Sequence, residues 1–135
     1  MLGTALVFGV DWGDSLGAAL VLLVFSLGAA GAGMLMGAML RNESQAGGVG
    51  VILSMGLGAI GGTMVPLTVM KEIAPTLYQI AHITPHAWGV RAFEKLILLG
   101  GGVPDILLEL MVLAVFALIA YALGVWRLRI ALTQR

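Results

Sequence analysis

The stretch that decides the fold is residues 63–104, TMVPLTVMKEIAPTLYQIAHITPHAWGVRAFEKLILLGGGVP. All four prolines of the chain, Pro66, Pro75, Pro85 and Pro104, fall inside it. Ile73 to Val90 is uncharged, but Pro75 and Pro85 interrupt it, and a proline inside a helix removes a hydrogen bond and clashes with the preceding turn. Such a stretch does not make a stable spanning helix. Ala87 to Leu99 reads as a second short helix, with Arg91, Glu94 and Lys95 spaced to meet on one of its faces. Two short apolar helices joined at Thr84-Pro85 predict a re-entrant or interfacial hairpin over about 73–99. It would dip into the membrane from the face it came from, because irregular backbone at that depth must be covered by protein or water. The alternative, a fourth full span at 73–98, would bury three charges and place the C-terminus opposite the Arg41 loop.

Outward from this stretch the charges are sparse. The 135 residues are 60% hydrophobic and 10% charged, with a formal net charge of zero and a mean hydropathy of +1.06. A soluble domain carries about 25% charged residues. The composition therefore excludes an ordinary soluble domain and a disordered chain, and the neutral balance offers no field to attract nucleic acid. There are no cysteines, so disulfides and thiolate chemistry are out. Ser15 to Leu40 and Ser44 to Met70 carry no charge, and neither does Leu110 to Trp126. About 20 apolar residues cross a bilayer as a helix, which predicts spans at about 15–40, 46–66 and 105–127. The fold class is then an all-α membrane protein with three transmembrane helices and an outer-face hairpin.

Lys and Arg set the orientation. Arg41 lies in the tight loop Arg41-Asn42-Glu43, and Arg127, Arg129 and Arg135 follow the last span. Three crossings put both groups on the inner side. Asp11, Asp14 and the hairpin, with Lys71, Arg91 and Lys95 diluted by acids, then lie outside. Residues 1–14 read as the remnant of a preceding span and its outer turn, and 15–135 as the membrane domain, so the chain is expected to be the C-terminal piece of a longer protein. Pro104 suits a first helical turn. Asp105 and Glu109 follow it at the positive end of the helix dipole, which predicts an interfacial Glu109, with a buried functional acid as the other reading.

Small residues recur every fourth position in the second span, at Ala46, Gly50, Ser54, Gly58 and Gly62, and in the first at Ala29, Gly33 and Gly37. Lipid gives helices no hydrophobic reason to associate, so close backbone approach must supply contact. The stripes predict tight packing of these two helices on each other; the sharper alternatives are a sliding interface or a subunit contact. His82 and His86 are four apart, but the HExxH pattern of a zinc hydrolase is absent, and the expectation is no metal. Tyr78 and Trp88 fit an aromatic belt. An intramembrane hydrolase built on His82, His86 and Glu94 would need a nucleophile, and no G-x-S-x-G surrounds Ser15, Ser26, Ser44 or Ser54.

Gly61-Gly62-Thr63-Met64-Val65-Pro66, then Pro75, then Ile83-Thr84-Pro85-His86-Ala87-Trp88, then Gly100 before a final span ending in basic residues, resembles the C-terminal half of a type 2 ABC exporter permease. The Arg41-Asn42-Glu43-Ser44-Gln45-Ala46 loop resembles the family's inner turn between its fourth and fifth spans. The resemblance implies a multi-pass protein of a bacterial-type plasma membrane that exports an amphipathic, drug-like or lipidic compound. It implies a second permease copy, as homodimer or heterodimer, and a separate ATP-binding subunit. The chain holds no GxxxxGK[ST], so ATP would sit on that partner and no cofactor on this chain. It implies packing roles for Gly33, Gly37, Gly50, Ser54, Gly58 and Gly62. An outer gate would comprise Pro66, Pro75, Pro85, Trp88, Arg91 and Glu94, with inner-loop contacts at Arg41, Asn42 and Glu43. The family's main ATPase-contacting helix lies upstream of this chain's start. A non-transporting membrane scaffold is the alternative function.

Overall fold

The computed structural model describes residues 12–40 and 42–133, and these are helical with no strand among them. The helix α1, Ser15–Met39, opens on Asp14, whose carboxylate accepts from the Leu16 N–H. An acceptor at this position satisfies one of the donors that a helix start leaves free. At its far end the Leu40 N–H closes on the Met36 carbonyl. Asn42 then caps α2, Glu43–Ile60, by accepting from Gln45 N–H at 2.7 Å.

The second helix is shorter than the 46–66 span expected from its charge-free run, and this is a correction. It stops at Ile60 because Gly62 takes φ +92°, a left-handed conformation that side chains with a Cβ resist. The Thr63 N–H turns back to the Gly58 carbonyl at 3.1 Å, the six-to-one bond of a Schellman ending. At about 1.5 Å per residue, the 18 residues of α2 reach about 27 Å, against about 30 Å of hydrocarbon. Among the described residues, two helices are long and apolar enough to cross a membrane: α1, and the stretch Val103–Ile130 that takes in most of the last helix.

Between them lie three short helices, where two were expected: α3, Leu67–Ile73, α4, Pro75–Ala81, and α5, Pro85–Phe93. No proline interrupts a helix; Pro75 and Pro85 each start one. Thr84 caps α5, its hydroxyl donating to the Ala81 carbonyl at 2.8 Å and accepting from Ala87 N–H. A π turn, Glu94–Leu98, extends α5, and a 3₁₀ turn, Val103–Ile106, leads into α6, Leu107–Thr133.

The longest contact in the molecule runs between α1 and α6, which lie parallel. Asp14 meets Val103, Gly28 meets Ala117, and Gly31 meets Ala120 and Tyr121. A Cβ at Gly31 would stand 2.9 Å from the Tyr121 amide nitrogen, so only glycine allows this approach. Neighbouring parallel helices oblige the intervening chain to return from the far end of α1 to the near end of α6, and α2 makes that return. The short helices sit at the near end. Ala18, Val21, Ala92, Leu96, Ile106 and Leu113 form a core shared by α1, α5 with its π turn, and α6. A second core joins Leu67, Met70, Ala81 and Ala87.

Candidate functional site at the hairpin end

At the end where α1 and α6 begin, the short helix α5 presents two chemically different faces. One lines an apolar groove of about 610 Å³. Its lining comes from Val21, Leu22 and Phe25 of α1, from Gly62 and Thr63 after α2, and from His86, Val90, Phe93 and Glu94 on α5 and its π turn. The His86 ring meets Phe25 edge-on at 5.2 Å, and its Nδ1 is buried without a hydrogen-bond partner. Burial therefore pushes the imidazole below its ordinary value, since an apolar surround disfavours the charged form.

The other face carries charge. Glu109, on α6, is fully buried. Its Oε1 lies 3.0 Å from Lys95 Nζ and 3.4 Å from Arg91 Nη2, and its Oε2 accepts from Lys95 at 3.1 Å. Lys95 also donates to the Asp105 carbonyl at 2.9 Å. Glu109, expected at the interface with a buried acid as the other reading, is buried within the protein and held by two cations. One sequence expectation is corrected here. Arg91 and Lys95 do not serve Glu94 or each other; both turn to α6, while Glu94 lines the groove. A buried carboxylate requires such partners, because an uncompensated charge out of water is costly.

Around this pair the aromatics interlock. Arg91 stacks over the Trp88 ring at 5.0 Å, Trp88 Nε1 donates to the His82 carbonyl at 2.8 Å, and His82 Nδ1 lies 2.7 Å from the Tyr78 carbonyl. Trp88 and Tyr78 thus both pack against His82, and His82 and His86 turn to different neighbours. Among the expected gate residues, Pro66, Pro75 and Pro85 set helix starts, while Trp88 and Arg91 join the charged face.

The structure does not bring the two small-residue stripes together. A Cβ at Gly33 or Gly37 would meet nothing within 4 Å, and one at Gly50 would meet only the end of Met36. Ser54 bonds to its own helix at Val51. Gly58 faces Thr63 and His86, and Gly62 faces Leu67. The glycines that carry helix contact are Gly28, Gly31 and Gly124, between α1 and α6. Of the inner-loop residues, Asn42 is the cap of α2; Arg41 lies outside the described residues, as do residues 1–11 of the expected preceding span, and Glu43 is the first residue of α2. Sequence reasoning missed Gly31 as a contact and the Lys95–Glu109 pair; an acid one turn inside an apolar helix was the signal for the second.

A family profile described as ABC-2 family transporter protein matches residues 1–126. The chain is 28% identical over 130 residues to the linearmycin resistance permease protein LnrN of Bacillus subtilis (strain 168), an alignment that takes in 96% of this chain and 33% of that protein. The chain thus spans about a third of the length of the curated relative it matches. No solved structure matches.

Proposed function

Because the chain belongs to the ABC-2 transporter family, we propose that it is the C-terminal part of the transmembrane subunit of an ATP-driven exporter. In this reading α1, α2 and α6 are three crossings, and α3 to α5 form a hairpin that stays on the outer side. The observation that carries it is the parallel packing of α1 on α6, with the hairpin at their shared end. Parallel neighbours need an odd return, and α2 is the one helix available for it. Its shortness is compatible with local thinning of the bilayer or with headgroup reach by its ends.

The cargo in this reading is amphipathic, drug-like or lipidic. The groove offers an apolar lining with a few polar groups, Thr63, His86 and Glu94, and mostly apolar walls with sparse polar groups are how such ligands are oriented. A relative named for linearmycin resistance is in keeping with outward movement of a compound. ATP is bound by a separate subunit that pushes on the inner loop around Arg41, Asn42 and Glu43. The open stripe at Gly33 and Gly37 would seat a helix of a second permease copy or of the rest of the subunit.

Cysteines placed at Asn42 and Thr133, labelled with an impermeant maleimide in oriented vesicles, test the crossings; both are expected to react from the same compartment. Reaction from opposite compartments overturns the three-crossing reading. For transport, the full-length permease is co-expressed with an ATP-binding subunit and an amphipathic fluorescent dye is added outside inverted vesicles. ATP-dependent accumulation is expected, whereas a scaffold gives none.

A further inference from the structure

We propose that Glu109 is a positioning residue that fixes the hairpin on the last helix, so that α5 and α6 travel as one body and the outer face opens only between that body and α2. The joints differ in kind. Between α5 and α6 stands a fully buried carboxylate with both oxygens on Lys95 and one also near Arg91. The same ammonium reaches the Asp105 carbonyl, and Asp14 ties the start of α1 to Val103 N–H at 3.1 Å. Pulling α5 off α6 would strand a carboxylate in an apolar surround or force it to take up a proton. The joint with α2 holds no charge among the described contacts. It consists of Gly58 and Gly61 against His86, Gly61 against Thr84, and Ile60 packed on the core of Leu67, Met70, Ala81 and Ala87. Parting it loses only van der Waals contact and apolar burial, which lipid tails can replace. A conformational change takes the joint that strands no charge.

This inference rests on the reading of the hairpin as the outer part of a permease, and its test reads the joint without transport. Ala92 is fully buried in the core between α1, α5 and α6. This chain has no cysteine, so Ala92→Cys in the full-length protein, with cysteines elsewhere replaced by serine, reports the joint through its rate of reaction with an impermeant maleimide. Glu109→Gln is expected to raise that rate at least tenfold. The swap Lys95→Glu with Glu109→Lys is expected to bring it back to within about twofold, which loss of a merely structural residue would not. An unchanged rate in Glu109→Gln overturns the proposal. Where Glu109→Gln does not accumulate, Lys95→Gln carries the same comparison with the same two outcomes. A second experiment bridges Lys95→Cys to Glu109→Cys with a bis-maleimide. Dye transport impaired in the unbridged double variant is expected to recover on bridging, and transport that stays the same or falls on bridging overturns the single-body claim. Absence of dye transport in the unmodified permease would sink the exporter reading while leaving the labelling result to decide the joint.

Discussion

The two ends of this chain's architecture are held by different physics. Where α1, α5 and α6 meet, acids do the fastening: Asp14 spans to Val103, Asp105 accepts from Gly102, and Glu109 gathers Lys95 and Arg91. Along α2 no such bond reaches another element beyond its ends, and Gly47, Gly48 and Gly56 face open space. In lipid the hydrophobic effect does not press helices together, so a helix is fixed only by close packing, hydrogen bonds and charge. The first region has all three and the second has almost none within this chain. The difference teaches that apolar content places a segment in the membrane, while a few polar contacts decide which segments move together.

The largest expected effect breaks the charged end. Glu109→Leu leaves Lys95 and Arg91 without their carboxylate at a site that is fully buried on the α6 side. Losing the charge-assisted contacts to two partly exposed cations costs about 3 kcal/mol. The fall is to be measured as loss of thermal stability of the full-length protein in detergent. Gln45→Leu, at an exposed position of α2, should stay within about 0.5 kcal/mol. Equal effects at the two positions would erase the contrast.

A smaller effect tests close packing without charge. Leucine at Gly31 must displace the Tyr121 backbone, and overpacking of this kind costs about 1–3 kcal/mol. Leucine at Gly47, where a Cβ meets nothing within 4 Å, should be neutral or slightly stabilising, since glycine is the weaker helix former by about 0.8–1 kcal/mol. Thr84→Ala comes next. It removes the cap of α5 and a bond to the Ala81 carbonyl, for about 1 kcal/mol, and should loosen the hairpin in hydrogen exchange while leaving α6 unchanged.

Much of the fold was legible because two of its signals are local. The charge-free run from Ser15 to Leu40 gave α1 almost to its ends, and Pro75 and Pro85, read as interruptions of the stretch, do break it, each by starting a new helix. The turn at Gly62 was harder to place, since an apolar run does not say where a glycine takes positive φ. The packing partners were not legible. The every-fourth stripe was regular in both α1 and α2, yet the contact that forms uses Gly28 and Gly31 against Ala117 and Tyr121. Which face of a helix is used depends on which helix lies beside it, and that depends on the whole path of the chain. Arg91 and Lys95 misled for the same reason: spacing on one helix suggests local pairs, whereas the fully buried carboxylate from α6 draws them away from a partly buried neighbour. Glu109 was visible as an unusual residue but its partners were not, because they come from another element.

The finest distinction concerns the face of α1 that this chain leaves open. Gly33 and Gly37 meet nothing, so Gly33→Ala in this 135-residue chain should raise helix stability by at most about 1 kcal/mol, read as a small rise in the melting temperature. In the full-length protein the sign is informative. If a helix of a second copy, or of a further part of the proposed subunit, lies on that stripe, a methyl group at Gly33 meets it and the gain turns into a loss. The rise should then reverse only in the longer protein, with Gly47→Ala as the reference for an α2 glycine that meets nothing in this chain. A rise of the same size in both proteins would mean that lipid covers the stripe. The open face of α1 would then be a bilayer surface, and the looseness of α2 would have no neighbour to supply what the charged end already has.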